Sequence, residues 1–217
     1  MRSRPLEPFI PELPPPAMRA RQRERFFGAD RTWRTAIFTP MLAIYNYLPR
    51  GVPLQGGWWP AKHWDDVLAC IVPQGSAILD PLCAIEASTQ VLFLGLAGAV
   101  HGFAVGDVVE AASSDLGERT HHPTWKSSRY PGACAVTVRC ISESYERRDE
   151  FAGKADVVDM ESGWVLAAGR KHTRQSRAVL IVSDELHGRS YLETGLAAIT
   201  ESLSDAAVHA AHDATGR

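Results

Sequence analysis

The sequence predicts an α/β domain, a central β-sheet flanked by helices, and three stretches say so. Ala178–Val182 is a short, continuous apolar run rich in β-branched residues, the mark of a strand covered on both faces. Val91-Leu92-Phe93-Leu94 is a second run of the same kind. Ser162–Ala168 is a good helical run apart from Gly163, which costs about 1 kcal/mol relative to alanine. Gly169 is placed to end that helix, and Arg170, Lys171 and His172 complement its negative end. At 217 residues the chain is long enough for one sizeable core, and it has no internal repeat or second domain.

In chain order, residues 1–34 have a composition of their own. Pro5, Pro8, Pro11, Pro14, Pro15 and Pro16 stop regular structure, and four arginines fall between Arg19 and Arg25. This reads as a Pro/Arg-rich N-terminal arm, extended and then a short basic helix, preceding a domain over 35–217. Its readings are a tail draped on the surface or an arm around a partner subunit. A basic nucleic-acid tail is diluted by Glu12 and Glu24. Thr35–Thr39 should be a strand and Pro40–Leu48 the start of a helix. Gly51–Pro60 should be a loop, whose Trp58 and Trp59 either lid an apolar pocket or pack over one end of the sheet.

Trp64–Ile71 has helical spacing, while Gly75–Asp80 and Ala84–Gln90 fit a strand and a helix. After Leu94, Gly95–Val100 reads as a glycine turn where backbone approaches a ligand, followed by a strand over 105–110. Ala111–Pro131, rich in Ser, His and Gly, reads as a long loop. Its His121-His122 pair points two ways and has no third ligand near, so a solvated loop is preferred to a metal site. A strand over Ala133–Ile141 and a polar connector over Ser142–Phe151 should follow.

Asp159, Met160 and Glu161 sit where the next helix begins, and carboxylates there are favoured by free N–H groups and the helix dipole. That helix should end by Gly169 and lead to a strand over 178–183. Asp184 then lies at the strand's carboxyl end, where open α/β sheets place their ligands. Leu192–His212 should be a last covering helix and Asp213–Arg217 a frayed tail.

Composition excludes little but is consistent. Hydrophobic residues make up 45% and charged residues 22%, ordinary for a globular protein. A net charge of −2 gives no reason to expect nucleic acid. Cys70, Cys83, Cys134 and Cys140 show no C-x-x-C spacing and read as reduced thiols of a cytoplasmic protein. Val91–Val100, the longest apolar run, is too short to span a bilayer, and the first residues lack the apolar core of a signal peptide.

Val157-Val158-Asp159-Met160-Glu161, followed at this spacing by Ile181-Val182-Ser183-Asp184, resembles the nucleoside phosphorylase/nucleosidase superfamily (purine and uridine phosphorylases, methylthioadenosine nucleosidases, futalosine hydrolases). The run Val91–Val100 with Gly106-Asp107-Val108-Val109 is similar to it as well. Taken singly, Glu161 and Asp184 are as well explained as helix-start and loop-cap residues; the pair carries the resemblance. It implies a central mixed, partly closed β-sheet and cleavage of an N-glycosidic bond of a nucleoside or nucleoside-like glycoside. Met160 and Glu161 would hold the ribose, and Asp184 would protonate the departing base, which asks for a proton on it near neutral pH. Asp159, Ser183, Gly95, Ala97 and Gly98 would complete the substrate site. No cofactor or metal is implied, and the expected assembly is a homo-oligomer, a dimer or a multiple of dimers, with the pocket completed across an interface.

Three departures shape the expectation. Phosphorylases grip phosphate with an arginine and a hydroxyl residue at the positions of Phe93 and Leu96, whose side chains cannot hydrogen-bond an anion. Hydrolysis is therefore preferred to phosphorolysis, with a non-standard phosphate site at Arg119 or Arg129 as the alternative. The stretch Phe38–Tyr45 lacks the glutamate that activates water in many nucleosidases, and no aromatic residue stands near Cys140–Ser142 to stack on the base, so Tyr145 or Phe151 would have to substitute. These losses also fit a second class of function, a ligand-binding or scaffold protein that kept the fold without the chemistry.

Overall fold

A computed structural model describes residues 8–125, 129–188 and 195–216. After an extended segment come helix α1 (Pro16–Phe27), strand β1 (Thr35–Thr39), α2 (Leu42–Tyr47), β2 (Val52–Leu54), β3 (Ala61–Trp64) and β4 (Val67–Ile71). A 3₁₀ turn at Gly75–Ile78 runs into α3 (Leu79–Ala84), followed by β5 (Gln90–Ala99), β6 (Val108–Leu116), β7 (Arg119–His121) and β8 (Gly132–Thr137). The last elements are α4 (Ile141–Glu146), α5 (Arg148–Phe151), β9 (Val157–Asp159), α6 (Ser162–Lys171), β10 (Ser176–Glu185), a 3₁₀ turn at Leu196–Ile199 and α7 (Thr200–Thr215).

The ten strands form one mixed sheet, and part of it closes on itself. β5 pairs with β10, β10 with β6, β6 with β8, β8 with β9, and β9 returns to β5. β1, β4, β3 and β2 extend the sheet outward from β5. Because successive strand residues face opposite sides, β1 feeds two cores. Ala36 and Phe38 join Phe93, Val165 and Leu166 on one face, and Ile37 joins Ile44, Leu92, Leu94 and Leu203 on the other. α6 covers the first face, and α2 with α7 the second. A central sheet covered on both faces explains the unbroken apolar runs of β1, β5 and β10.

Several expectations need correction. Trp64–Ile71 is not a helix. β3 and β4 make an antiparallel hairpin that turns at Asp65, whose φ of 47° is the left-handed conformation that aspartate tolerates. The predicted loop 51–60 contains β2, an edge strand where Pro53 has no ladder bond to lose. Gly95–Ala99 is no turn: β5 runs on through it, paired with β10, because Gly95 leaves room for the Phe93 ring, 2.5 Å from where a Cβ would stand. Residues 75–90 hold a 3₁₀ turn and α3 before β5 begins, so the strand expected at Gly75–Asp80 does not form and the helix expected at Ala84–Gln90 lies earlier, over Leu79–Ala84. β6 and β7 occupy much of the predicted loop 111–131. The strand expected at 133–141 stops at Thr137, and the connector 142–151 folds into α4 and α5. β9 precedes the Met160-Glu161 pair, and α6 passes Gly169 to end at Lys171. α7 continues to Thr215 through the tail expected to fray, while Leu192, where that helix was expected to start, lies outside the described residues.

The N-terminal helix packs into the core of the sheet. Phe26 and Phe27 are buried in the main core beside Trp33 and Phe38. Arg23 pairs with Glu86 and Asp30, fixing α1 to the connection after α3. Trp58 and Trp59 lie against Phe26, with ring centres 5.5 and 4.6 Å away, so they hold α1 instead of lidding a pocket. Gly28 and Gly57 make this possible: a Cβ on either would fall 2.2 or 2.6 Å from a backbone oxygen of the other segment. Among the described residues no helix is long and apolar enough to cross a membrane, and all four cysteines are free thiols, Cys70 and Cys83 buried and Cys134 and Cys140 exposed.

Candidate active site

The parallel strands β1, β5 and β10 deliver their carboxyl ends to one side of the sheet, where a cavity of about 480 Å³ opens. β5 contributes Leu96, Ala97 and Gly98, and β10 contributes Ser183 and Asp184. Adjacent strand residues normally face opposite ways, but the β5–β10 register slips between Val182 and Asp184, and this irregularity lets both Ser183 and Asp184 reach the cavity. Val158, Asp159, Met160 and Glu161 come from β9 and the step into α6. Pro40 and Met41 follow β1, Gln74 precedes the 3₁₀ turn, and Val138, Ile141, Ser144 and Tyr145 belong to β8's exit and α4.

Of the residues expected from sequence, Asp159, Met160, Glu161, Ser183, Asp184, Ala97 and Gly98 come together here. Gly95 does not: it lies inside β5 under the Phe93 ring, making room for core packing. Sequence reading missed Met41, Gln74, Val138, Ile141 and Ser144, which sit on loops or a polar helix with no periodic signal. Tyr145 was one of two aromatic alternatives; it lines the cavity, whereas Phe151 is buried in a separate small cluster.

Asp159 is buried, and four internal donors occupy its carboxylate. Its Oδ2 accepts the N–H groups of Glu161 (3.0 Å) and Ser162 (2.6 Å), while Oδ1 accepts the hydroxyls of Ser162 (2.6 Å) and Thr137 (3.0 Å). Burial pushes its carboxyl up, and these four donors oppose that push. An acceptor with four donors is best matched by the ionised form. Asp159 thereby closes the start of α6 and fixes the backbone that carries Glu161.

Glu161 is buried at the cavity wall. Its Oε1 accepts the N–H of Gly75 at 2.7 Å, which ties the carboxylate to the 3₁₀ turn. Burial first, and the Asp159 charge second, push its carboxyl up to about 8. Asp184 is gripped on both oxygens. Ser183 donates to Oδ1 (2.7 Å) and Tyr145 donates to Oδ2 (3.3 Å). Gly98 leaves space for that carboxyl, since a Cβ there would stand 3.1 Å from Oδ2.

The rest of the wall is mostly apolar, and among the described residues no arginine, lysine or histidine lines it. Phe93 is fully buried, and Leu96 presents an apolar surface. Arg119 lies in a different groove, with Pro8, Phe9 and Arg170, and Arg129 bonds His209, so neither reaches the cavity. His121 sits in β7, and His122 faces the Ala112 carbonyl. Among the described residues no group of three or more His, Cys, Asp or Glu is placed to hold a metal.

No protein-family model and no curated protein sequence matches the chain. Solved structures do. A uridine phosphorylase from Vibrio fischeri superposes with a TM-score of 0.70 at 12% identity, over 93% of this chain and 100% of that one. An AMP nucleosidase from Bacteroides thetaiotaomicron gives 0.65 at 18% identity, over 90% and 96%. A 5′-methylthioadenosine/S-adenosyl homocysteine nucleosidase from Campylobacter jejuni gives 0.66 at 14% identity, over 82% and 97%. The chain has the fold that these nucleosidases and this phosphorylase share.

Proposed function

We propose that this chain, folded as nucleosidases and nucleoside phosphorylases are, hydrolyses the N-glycosidic bond of a nucleoside or nucleoside-like glycoside. One observation carries the reading: Glu161 and Asp184, both anchored by hydrogen bonds, face a single cavity at the carboxyl ends of the parallel strands. Breaking the bond leaves positive charge on the sugar and an electron pair on the base. Glu161 would accept hydrogen bonds from sugar hydroxyls and place its charge beside the developing cation. Asp184 would give its proton to the departing base nitrogen. Met160, Ala97, Gly98 and Ser183 would shape the sugar and base subsites.

Water is the preferred acceptor, because Phe93 and Leu96 supply no grip for orthophosphate and the described lining carries no cation. The same property disfavours phosphorylated substrates. A second reading, a binding protein without chemistry, has Pro40 and Met41 in its favour: they fill the wall after β1 with no carboxylate to activate water. A cytoplasmic location is part of this proposal, and the cysteine spacing, which does not suggest a disulfide framework, supports it.

The test is release of base from a nucleoside panel at zero and at millimolar phosphate. Turnover without phosphate is expected, and Asp184→Asn, which keeps the shape but not the transferable proton, should lower kcat about 10²–10⁴-fold. Strict dependence on phosphate would overturn hydrolysis, and full activity of Asp184→Asn would overturn the acid. Binding without turnover would favour the second reading.

A further inference from the structure

Resting on the N-glycosidase reading, we propose that Tyr145 is a positioning residue for Asp184: its phenol holds the carboxyl in the orientation from which the proton reaches the base. Ser183 cannot do this alone. It is the chain neighbour of Asp184, moves with it, and grips only Oδ1. Tyr145 comes from α4, 39 residues away in sequence, and its contact with Oδ2 fixes the plane of the carboxyl group.

α4 is built to hold that position. Glu143, buried in the middle of the helix, accepts the backbone N–H of Arg139 (2.8 Å) and the guanidinium of Arg147 (2.6 Å), bracing the helix at both ends. Burial works against the charge on Glu143, yet the bonds from Arg139 and Arg147 keep its carboxyl below the usual value. The Ser144 hydroxyl closes onto the Ile141 carbonyl at 2.6 Å. Gly98 puts no side chain beside Oδ2, so the tyrosine reaches it unobstructed.

The choice of a phenol fits a partner for a proton donor. Its hydrogen points at Oδ2, so the proton that Asp184 passes on sits on a lone pair turned to the base and not to the tyrosine. When that proton has passed to the base nitrogen and the C–N electron pair has left with the base, the same phenol hydrogen stays on the carboxylate. A neutral hydroxyl makes this bond without setting a fixed positive charge beside the acid, as an ammonium or guanidinium would.

The experiment compares wild type, Tyr145→Phe and Tyr145→His on a nucleoside that the wild type cleaves and on p-nitrophenyl riboside, whose leaving group departs as an anion and needs no proton. Tyr145→Phe should lower kcat on the nucleoside about 10- to 100-fold with KM nearly unchanged, and leave cleavage of the nitrophenyl glycoside unaffected. Tyr145→His, which retains a ring able to donate and accept, should recover part of the loss. Unchanged kcat in Tyr145→Phe, or an equal loss on both substrates, overturns the positioning role and leaves the glycosidase reading standing. A wild type that cleaves no nucleoside overturns the glycosidase reading itself and the role of Tyr145 with it.

Discussion

At the scale of single residues, the site is governed by how each carboxyl is surrounded. Asp159 and Glu161 are two positions apart, yet one faces four donors, two of them hydroxyls, and the other only the backbone N–H groups of Gly75 and Met160. Asp159 is therefore the better place for charge, and that charge helps to hold the proton on Glu161 up to about pH 8, against an ordinary carboxyl value of 4.5. A protonated Glu161 cannot oppose a developing cation. On p-nitrophenyl riboside, whose leaving group needs no proton from Asp184, the wild-type kcat/KM should in the proposed reaction fall as pH drops from about 9 to about 7, and this limb should vanish in Glu161→Gln, whose overall rate is lower. Stability carries the opposite sign. The folded chain holds the Glu161 proton more tightly than the unfolded chain, so wild-type stability falls as pH rises from 4.5 to about 8. Glu161→Gln, neutral at every pH, should melt a few degrees above wild type at about pH 9 and near it at about pH 5. Thermal melts at the two values check this, and an equal shift at both would show that the ionisation is not responsible.

At the scale of elements, the sheet and the motif were legible where one strong physical signal dominated. β1 and the interior of β10 were readable because both faces are buried and the runs are continuous. The start of α6 was readable because a carboxylate must meet its free N–H groups. The hairpin β3–β4 was missed because Val67–Cys70 is buried on both faces, and a continuous apolar run does not distinguish helix from strand; the turn at Asp65 was the usable signal. α4 was missed because its chemistry is polar and its one cavity-facing aromatic, Tyr145, has no periodic partners. The short basic helix expected after the prolines is α1, while its docking is not legible because prolines and arginines outweigh the Phe26-Phe27 pair that inserts into the core. That docking makes a prediction. Gly57→Ala would drive a Cβ to 2.6 Å from the Phe26 oxygen and the Phe27 carbonyl carbon, where backbone cannot give way cheaply. It should cost about 1–3 kcal/mol and lower Tm by about 2–10 °C. Gly153→Ala, with nothing within 4 Å, should leave Tm unchanged. Calorimetry on both variants decides it, and equal melting of the two would remove the close backbone approach as the reason for Gly57.

At the scale of the whole molecule, the position of the cavity bears on assembly. It opens where three parallel strands end, and large apolar side chains at its edge are left uncovered. Ile141, a lining residue, is 63% exposed, and Leu42, which follows Met41 of the wall, is 60% exposed. Isolated apolar residues on a surface are ordinary, but two at the edge of one cavity are not neutral. A second copy of the chain would cover them and complete the wall that Pro40 and Met41 leave without a polar group. We expect a homo-oligomer, a dimer or a multiple of dimers, in which the Leu42 and Ile141 edges are buried. Light scattering at micromolar concentration should report at least twice the mass of one chain. Leu42→Asp should shift that mass toward one chain and lower kcat/KM with it, because a charge buried in an apolar contact is costly. A wild type that is monomeric and fully active would show that one chain closes its own site.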